Sequence, residues 1–392
     1  MNKIMTIMAA VITTVSVSAQ KNINEVLSEI EQNNTTLKSL REAVSAQKLE
    51  NRTGIYLSNP EVEFNYLWGS PSQIGDRKDF SVRQEFDFPT ISGLKGEVAN
   101  QKDRLLELQY KADRMNILLE SKKYCLDMIY YNSLLRELDT RLEHARTIVA
   151  IWKERLDKGE GNLPEYNEAL LDMTKVKGEM TRIETERNIV MSHLKRMNGG
   201  VELQLTAIDF PEIQMPSDFS QWYAIAETKN PVLAYVRQET ELGRTEVSLS
   251  KSMGLPTFSA GYMSEKVVGE RYQGISLGMS IPLWSNRNRI KQAKSAVRAA
   301  ESRQADARQQ FLSQLEILYT RTIGLKSTAE IYKSSLVNAN NSILLKKALD
   351  AGQISLLDYT LAMGIYYNTV EQALQAELDY QKAFAELSAF EL

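Results

Sequence analysis

The chain is poor in side chains that carry chemistry: 392 residues include one cysteine and two histidines. One cysteine cannot close an internal disulfide, and Cys125, set between Tyr124 and Leu126, reads as a small packed hydrophobe. His144 and His193 fall in helical stretches as solvated positions, and neither has a second histidine or cysteine at ligand spacing. No phosphate loop, nucleophile elbow or zinc motif is present, so the sequence points away from an enzyme and calls for no cofactor. The 14 methionines form no cluster suited to a soft metal. Basic tracts are missing too: the formal net charge is −3, which argues against nucleic acid as a partner. Outside the first twenty residues, no segment is apolar enough to cross a bilayer as a helix.

What is present begins with Lys3, an apolar run from Ile4 to Val17 and the small-residue site Val17-Ser18-Ala19 before Gln20. This pattern predicts a secretory signal peptide over residues 1–19, since a spanning helix needs about twenty apolar residues. Position 20 is glutamine, so no acylated cysteine is expected after cleavage.

An internal repeat follows. Asn34, Leu37, Pro60 and Tyr66 recur as Asn230, Leu233, Pro256 and Tyr262 at an offset of 196. Pro89 then matches Pro282. Arg155-Leu156-Asp157-Lys158-Gly159 with Tyr166 matches Ala348-Leu349-Asp350-Ala351-Gly352 with Tyr359, at an offset of 193. The sequence therefore divides into repeat 1 over 20–200, a linker over 201–218 carrying Pro211 and Pro216, and repeat 2 over 219–392.

Each repeat opens with a helical segment, Asn22 to Ser58 and Phe219 to Gly254, stopped at Asn59-Pro60 and Leu255-Pro256. Period-two alternation then predicts four strands. Val62, Phe64, Tyr66 and Trp68 alternate with Glu61, Glu63 and Asn65, while Phe80, Val82, Phe86 and Phe88 alternate with Ser81, Arg83, Glu85 and Asp87. Phe258, Ala260 and Tyr262, then Ile275, Leu277, Met279 and Ile281, repeat the pattern in the second half. Heptad spacing from Ile91 onward, with a phase shift near Leu135, predicts one long coiled-coil helix from Thr90 to Asp157. A helix of that extent measures about 100 Å at 1.5 Å per residue. A second long helix is expected from Trp284 to Asp350, and shorter helices over Leu163 to Asn198 and Leu356 to Phe390 close the repeats.

Strands of about nine to eleven residues are the length a tilted membrane strand requires. Four cannot close a barrel, for which about eight is the minimum, so several chains must pool their strands. Tyr66, Trp68, Tyr262, Tyr272 and Trp284 are expected near strand ends, where membrane-interface aromatics sit.

The duplicated order of helix, two strands, long helix and short helix resembles the TolC-like outer membrane factor family over nearly the whole mature chain. The resemblance rests on Asn230-Pro231-Val232-Leu233, Leu255-Pro256-Thr257-Phe258-Ser259, Gly274-Ile275-Ser276-Leu277, Ile281-Pro282-Leu283 and Ala351-Gly352 with Ser355-Leu356-Leu357-Asp358-Tyr359. It implies an α+β membrane protein: duplicated coiled-coil helices forming an α-barrel, plus four strands per chain contributing to a shared transmembrane β-barrel. It further implies a homotrimer in outer-membrane lipid that extends into the periplasm. The expected partners are a periplasmic adaptor protein and an inner-membrane efflux pump, and the expected role is a passive exit duct for small molecules or ions. Larger members carry helical insertions that the short linker here lacks. A coiled-coil envelope scaffold would explain the heptads but not four amphipathic strands.

Two candidate sites emerge. Glu61, Glu63, Glu85 and Asp87 lie on the polar strand face as luminal acids, which either form carboxylate rings that favour cations or simply keep the lumen wet. The resemblance places a periplasmic gate at the turns Asp157 to Asn162 and Asp350 to Ser355, broken by Gly159 and Gly352. A family acid six positions past the glycine corresponds to Asp358, and a second acid three residues later is replaced by Leu361. Ser355-x-x-Asp358 is also a capping box that Asn162-x-x-Glu165 imitates, so Asp358 and Glu165 have helix starts to stabilise as well.

Overall fold

A computed structural model describes residues 22–284, 286–338 and 341–392. The expected signal peptide lies outside them. The described elements run α1 (Ile23–Asn33), α2 (Thr35–Asn51), β1 (Glu61–Leu67), β2 (Arg77–Phe86), α3 (Pro89–Asp157) and α4 (Leu163–Met197). After the linker come α5 (Phe219–Lys229), α6 (Pro231–Ser252), β3 (Thr257–Val267), β4 (Glu270–Ser280), α7 (Arg289–Asn338), α8 (Ser342–Asp350) and α9 (Leu356–Leu387).

The long helix predicted from Thr90 is α3, continuous over 69 residues. Three other helical expectations need correction. The opening helix of each half is two helices, broken at Asn34 and Asn230. Pro231 supplies no amide hydrogen, and the Asn230 carboxamide oxygen accepts from the amides of Val232 and Leu233 at 2.9 and 3.1 Å, starting a fresh helix. The opening segment of the first half ends at Asn51, short of Ser58. The second long helix begins at Arg289 rather than Trp284, after Asn288 adopts φ 68°. It also stops short of Asp350: α7 ends at Asn338, and α8 covers Ser342–Asp350.

Two compact units form, each drawing on both halves of the chain. One comprises the described part of 1–34 with 120–213 and 325–382. Here Ile23, Val26, Leu27 and Ile30 of α1 are buried, as are Leu126, Ile129, Leu134 and Leu138 of α3. The linker is irregular, and α3 satisfies three of its carbonyls: Asn132 donates to those of Leu205 and Ala207 at 3.1 and 2.9 Å, and the Ser133 hydroxyl donates to that of Ile208. Arg187 of α4 fixes the Asn132 carboxamide at 2.7 Å. Cys125 is fully buried, and burial pushes its thiol up to about 12, so it is the packed hydrophobe that its neighbours suggest.

The other unit comprises 35–119, 214–324 and 383–392. Its core gathers Ala226, Leu315 and Leu387 beneath Phe219, Trp222, Tyr223, Phe311, Tyr319 and Phe390, and the Tyr319 hydroxyl donates to the Pro216 carbonyl at 3.0 Å. This unit holds a four-stranded antiparallel sheet in the order β1-β2-β3-β4.

At the end of α4, Gly199 adopts φ +66°, and a Cβ there would lie 2.3 Å from the Asn33 carbonyl oxygen. Gly54 has a similar φ, +75°, but open space around it. Gly54→Ala is expected to cost only the left-handed backbone penalty, about 1–2 kcal/mol. Gly199→Ala adds a backbone clash and is expected to exceed about 3 kcal/mol, an unfolding difference that thermal denaturation of the two variants reads directly.

Candidate functional site

Strand register decides which residues share a face, because directly paired residues of an antiparallel sheet point the same way. One row runs Val62, Val82, Tyr262, Ile275 across all four strands, and another joins Phe86, Phe258 and Met279. This face is apolar and uncovered: Ile275 and Leu277 are 82% and 83% exposed, and Val62 and Phe64 are 66% and 63% exposed. Leaving such side chains in water forfeits about 1.5–3 kcal/mol each, so the face is built for an apolar medium or partner.

The opposite face is polar. Its rows include Glu61, Arg83, Gly261, Ser276 and, further along, Asn65, Asp79, Glu265, Tyr272. Within the strands it carries six carboxylates, those of Glu61, Glu63, Asp79, Glu85, Glu265 and Glu270, against the two arginines Arg77 and Arg83. Arg83 donates to Glu61 at 2.7 Å. Arg77 is held by Asp79 at 2.9 Å and Glu265 at 3.1 Å.

The four acids named from sequence are thus unequal. Glu61 is neutralised by Arg83, and Asp87 follows β2 and pairs with Lys95 at 2.5 Å. Glu63 accepts only from Asn65, at 3.1 Å, and neither Glu63 nor Glu85 has an ion pair among the described residues. Sequence reading missed Asp79, Glu265 and Glu270, although strand parity carried the signal: each has the parity of the polar residues in its own strand. Parity also moves Tyr272 off the apolar face, since it pairs with Glu265, and register puts Tyr262 at mid-strand rather than at an end.

The two turns singled out from sequence lie in the first-described unit and share one geometry. The Gly159 amide donates to the Leu156 carbonyl and that of Glu160 to Arg155, at 3.0 and 2.9 Å. Likewise the Gly352 amide donates to Leu349 and that of Gln353 to Ala348, at 3.0 and 2.9 Å. Both glycines have positive φ, +76° and +68°, as this helix stop requires. Next to the turns, Trp152, Ala169 and Leu356 form a buried cluster with Tyr166 and Leu349 against it.

Helix starts differ between the turns. At α9 the capping box is complete: the Asp358 amide donates to the Ser355 hydroxyl at 3.1 Å, while its carboxylate accepts from the Ser355 amide and hydroxyl at 3.3 and 2.7 Å. At α4 only half forms, with the Glu165 amide donating to Asn162 at 2.9 Å. The half-buried Glu165 carboxylate makes no hydrogen bond or ion pair among the described residues. Leu361 is 60% exposed, between exposed Leu357 and Ile365 on one helical face.

The histidines are less bland than expected. His193 is half-buried and stacks on Tyr124 at 4.8 Å, and His144 Nδ1 lies 2.9 Å from the Tyr367 hydroxyl.

Residues 222–390 match the family described as Outer membrane efflux protein. A curated relative, the alkaline protease secretion protein AprF of Pseudomonas aeruginosa, is 24% identical over 185 residues, 44% of this chain and 38% of that protein. The match thus spans well under half of the relative's length. Among solved structures, a membrane protein from Pseudomonas aeruginosa superposes with a TM-score of 0.76 at 14% identity, covering 94% of this chain and 93% of that one. The Campylobacter jejuni CmeC outer membrane channel gives 0.76 at 13% identity, covering 94% and 85%. CusC, described by its transmembrane channel formation, gives 0.77 at 13% identity, covering 94% and 91%. Residues 222–390 accordingly resemble the outer membrane efflux protein family, and the chain shares its fold, over 94% of its length, with the outer-membrane channel CmeC and with CusC.

Proposed function

We propose that this chain is the outer-membrane exit duct of a tripartite efflux system, a homotrimer that passes small molecules or ions handed on by an inner-membrane pump through a periplasmic adaptor. The observation that carries this reading is the sheet. It has a bare apolar face, an acidic opposite face, and outer edges on β1 and β4 that pair with no other strand among the described residues. In hydrocarbon an open edge leaves amides and carbonyls unsatisfied at several kcal/mol each, so only closure with strands from other copies makes the sheet viable there. Three copies supply twelve strands, an even number within the range of outer-membrane barrels. The apolar faces then meet lipid and the acidic faces line the pore. The duplicated sequence accounts for each copy supplying two similar hairpins, and the helices form the part that reaches into the periplasm. A coiled-coil scaffold has no use for a bare amphipathic sheet.

We also propose that the Gly159 and Gly352 turns form the periplasmic gate, with Asp358 as a ring of carboxylates and Leu361 as an adjoining apolar ring. Glu165, whose carboxylate is not engaged in its helix cap, is a second acid at the same level of the turns.

Mass measurement of the detergent-solubilised protein is expected to give three chains per particle, and a stable monomer would overturn the assembly. Current reversal in a salt gradient should show cation preference that weakens in Glu63→Gln/Glu85→Gln, the two named acids without ion pairs; anion preference in the wild type would refute the luminal assignment. In planar bilayers Asp358→Ala should relieve block by multivalent cations added from the periplasmic side, besides losing about 1 kcal/mol or less of capping energy. Unchanged block and conductance with only a lower melting temperature would leave Asp358 as a cap and nothing more.

A further inference from the structure

The apolar face does not run unchanged to both ends of the sheet. At one end every strand is joined to a helix; at the other lie the two hairpin connections, residues 68–76 and 268–269. Next to the hairpins a single cross-strand row reads Tyr66, Lys78, Lys266, Arg271. Side-chain contacts agree with the register: the Lys78 ammonium lies 5.0 Å from the Tyr66 ring centre, and Arg271 donates to Ser264 at 3.1 Å. The following rows, starting with Phe64 and Phe80, are predominantly apolar for six residues, about 20 Å along the strands. That approaches the roughly 25 Å apolar band of an outer-membrane barrel.

The two faces treat their cations differently. On the acidic face Arg77 is neutralised by Asp79 and Glu265, and Arg83 by Glu61. On the apolar face the strands hold no carboxylate, and none of Lys78, Lys266 and Arg271 has an ion pair among the described residues. The nearby Asp76 carboxylate instead accepts from the Tyr66 hydroxyl. All three cations are exposed. Three unneutralised positive charges in one row, bordering an apolar band, complement a ligand with phosphate at one end and acyl chains below it.

Resting on the reading that this face meets lipid, we propose that Lys78, Lys266 and Arg271, with Tyr66 beside them, form a binding site for the phosphate groups of a phosphorylated, acylated lipid in the outer leaflet. The hairpin end is the exterior end on that reading, because the helices leave from the other. Phosphate oxygens take the charge-assisted hydrogen bonds of the row, while acyl chains lie along Phe64, Phe80 and the rows beyond. Each copy brings its own row, so the trimer carries a belt of such sites at its outer rim.

The test uses the full chain, phosphatidylcholine vesicles doped with lipid A, and the same vesicles doped with enzymatically dephosphorylated lipid A. Flotation shows whether the protein enters each bilayer, and native mass spectrometry after detergent extraction counts retained lipid A. The wild type should float with both vesicle types and retain phosphorylated lipid A roughly tenfold or more over its dephosphorylated form, about what two or three interfacial cations provide. Lys78→Gln/Lys266→Gln/Arg271→Gln should lose that preference, whereas Arg77→Gln on the acidic face should keep it. Flotation with equal retention of both lipids by the wild type overturns the site while leaving the lipid-facing sheet intact, and it needs no variant to fold. Preference surviving in the triple variant overturns the residue assignment. Failure of the wild type to float with either vesicle overturns the lipid-facing reading and the site together.

Discussion

A strand buried in hydrocarbon must satisfy every amide and carbonyl from another strand, and among the described residues no strand pairs with either outer edge of the four-stranded sheet. Water can satisfy such edges, but the same sheet has an apolar face that water disfavours by several kcal/mol over its large side chains. Neither medium suits a lone copy. On the proposed reading the conflict resolves when edge meets edge on another chain, which places the sheet's energetics outside the single polypeptide. The helical core around Ala226, Leu315 and Leu387 belongs to the same compact unit and buries its apolar side chains within the chain.

Charge follows from the same two-residue period. Acids and their arginine partners share one parity in each strand, and the cations without an ion pair among the described residues share the other. A one-residue slip in any pairing would drive carboxylates onto the apolar face and phenylalanines onto the acidic one. Register is therefore specified strongly here, and the Arg83–Glu61 and Arg77–Glu265 cross-strand pairs add to that specification even though each is exposed and worth little alone.

How much could be read beforehand depended on whether the deciding interaction was local. The strands were legible because Phe64, Phe80, Ile275 and their neighbours alternate within a few residues, and α3 because its heptads persist for 69 residues. The turns were legible because glycine at Gly159 and Gly352 answers a backbone requirement inside one helix end. What escaped needed partners distant in sequence or a local competition. The break at Asn230 is such a competition, between a continuing apolar stripe and a side-chain cap next to proline. The full polar face required register, since Asp79 and Glu265 meet only by pairing β2 with β3. Asp87 looked luminal by alternation, yet the chain leaves the sheet before it and Lys95, eight residues on, captures it.

The two glycine turns show how near-identical local geometry can serve unequal ends. Each turn closes with the same pair of backbone hydrogen bonds, and the next helix starts four residues past its glycine. That spacing sets the helical phase of everything after it. Position three of the helix is Glu165 in α4 and Asp358 in α9, but only the shorter aspartate, facing a serine, folds back to complete the box. The first helical residue diverges as well: Leu356 is buried against Trp152, while the corresponding Leu163 is exposed. A cap that holds Asp358 in place also fixes where its charge stands relative to Leu361 one turn on. Stability and position at the α9 start therefore come from the same hydrogen bonds, and any change that loosens the cap also displaces the charge.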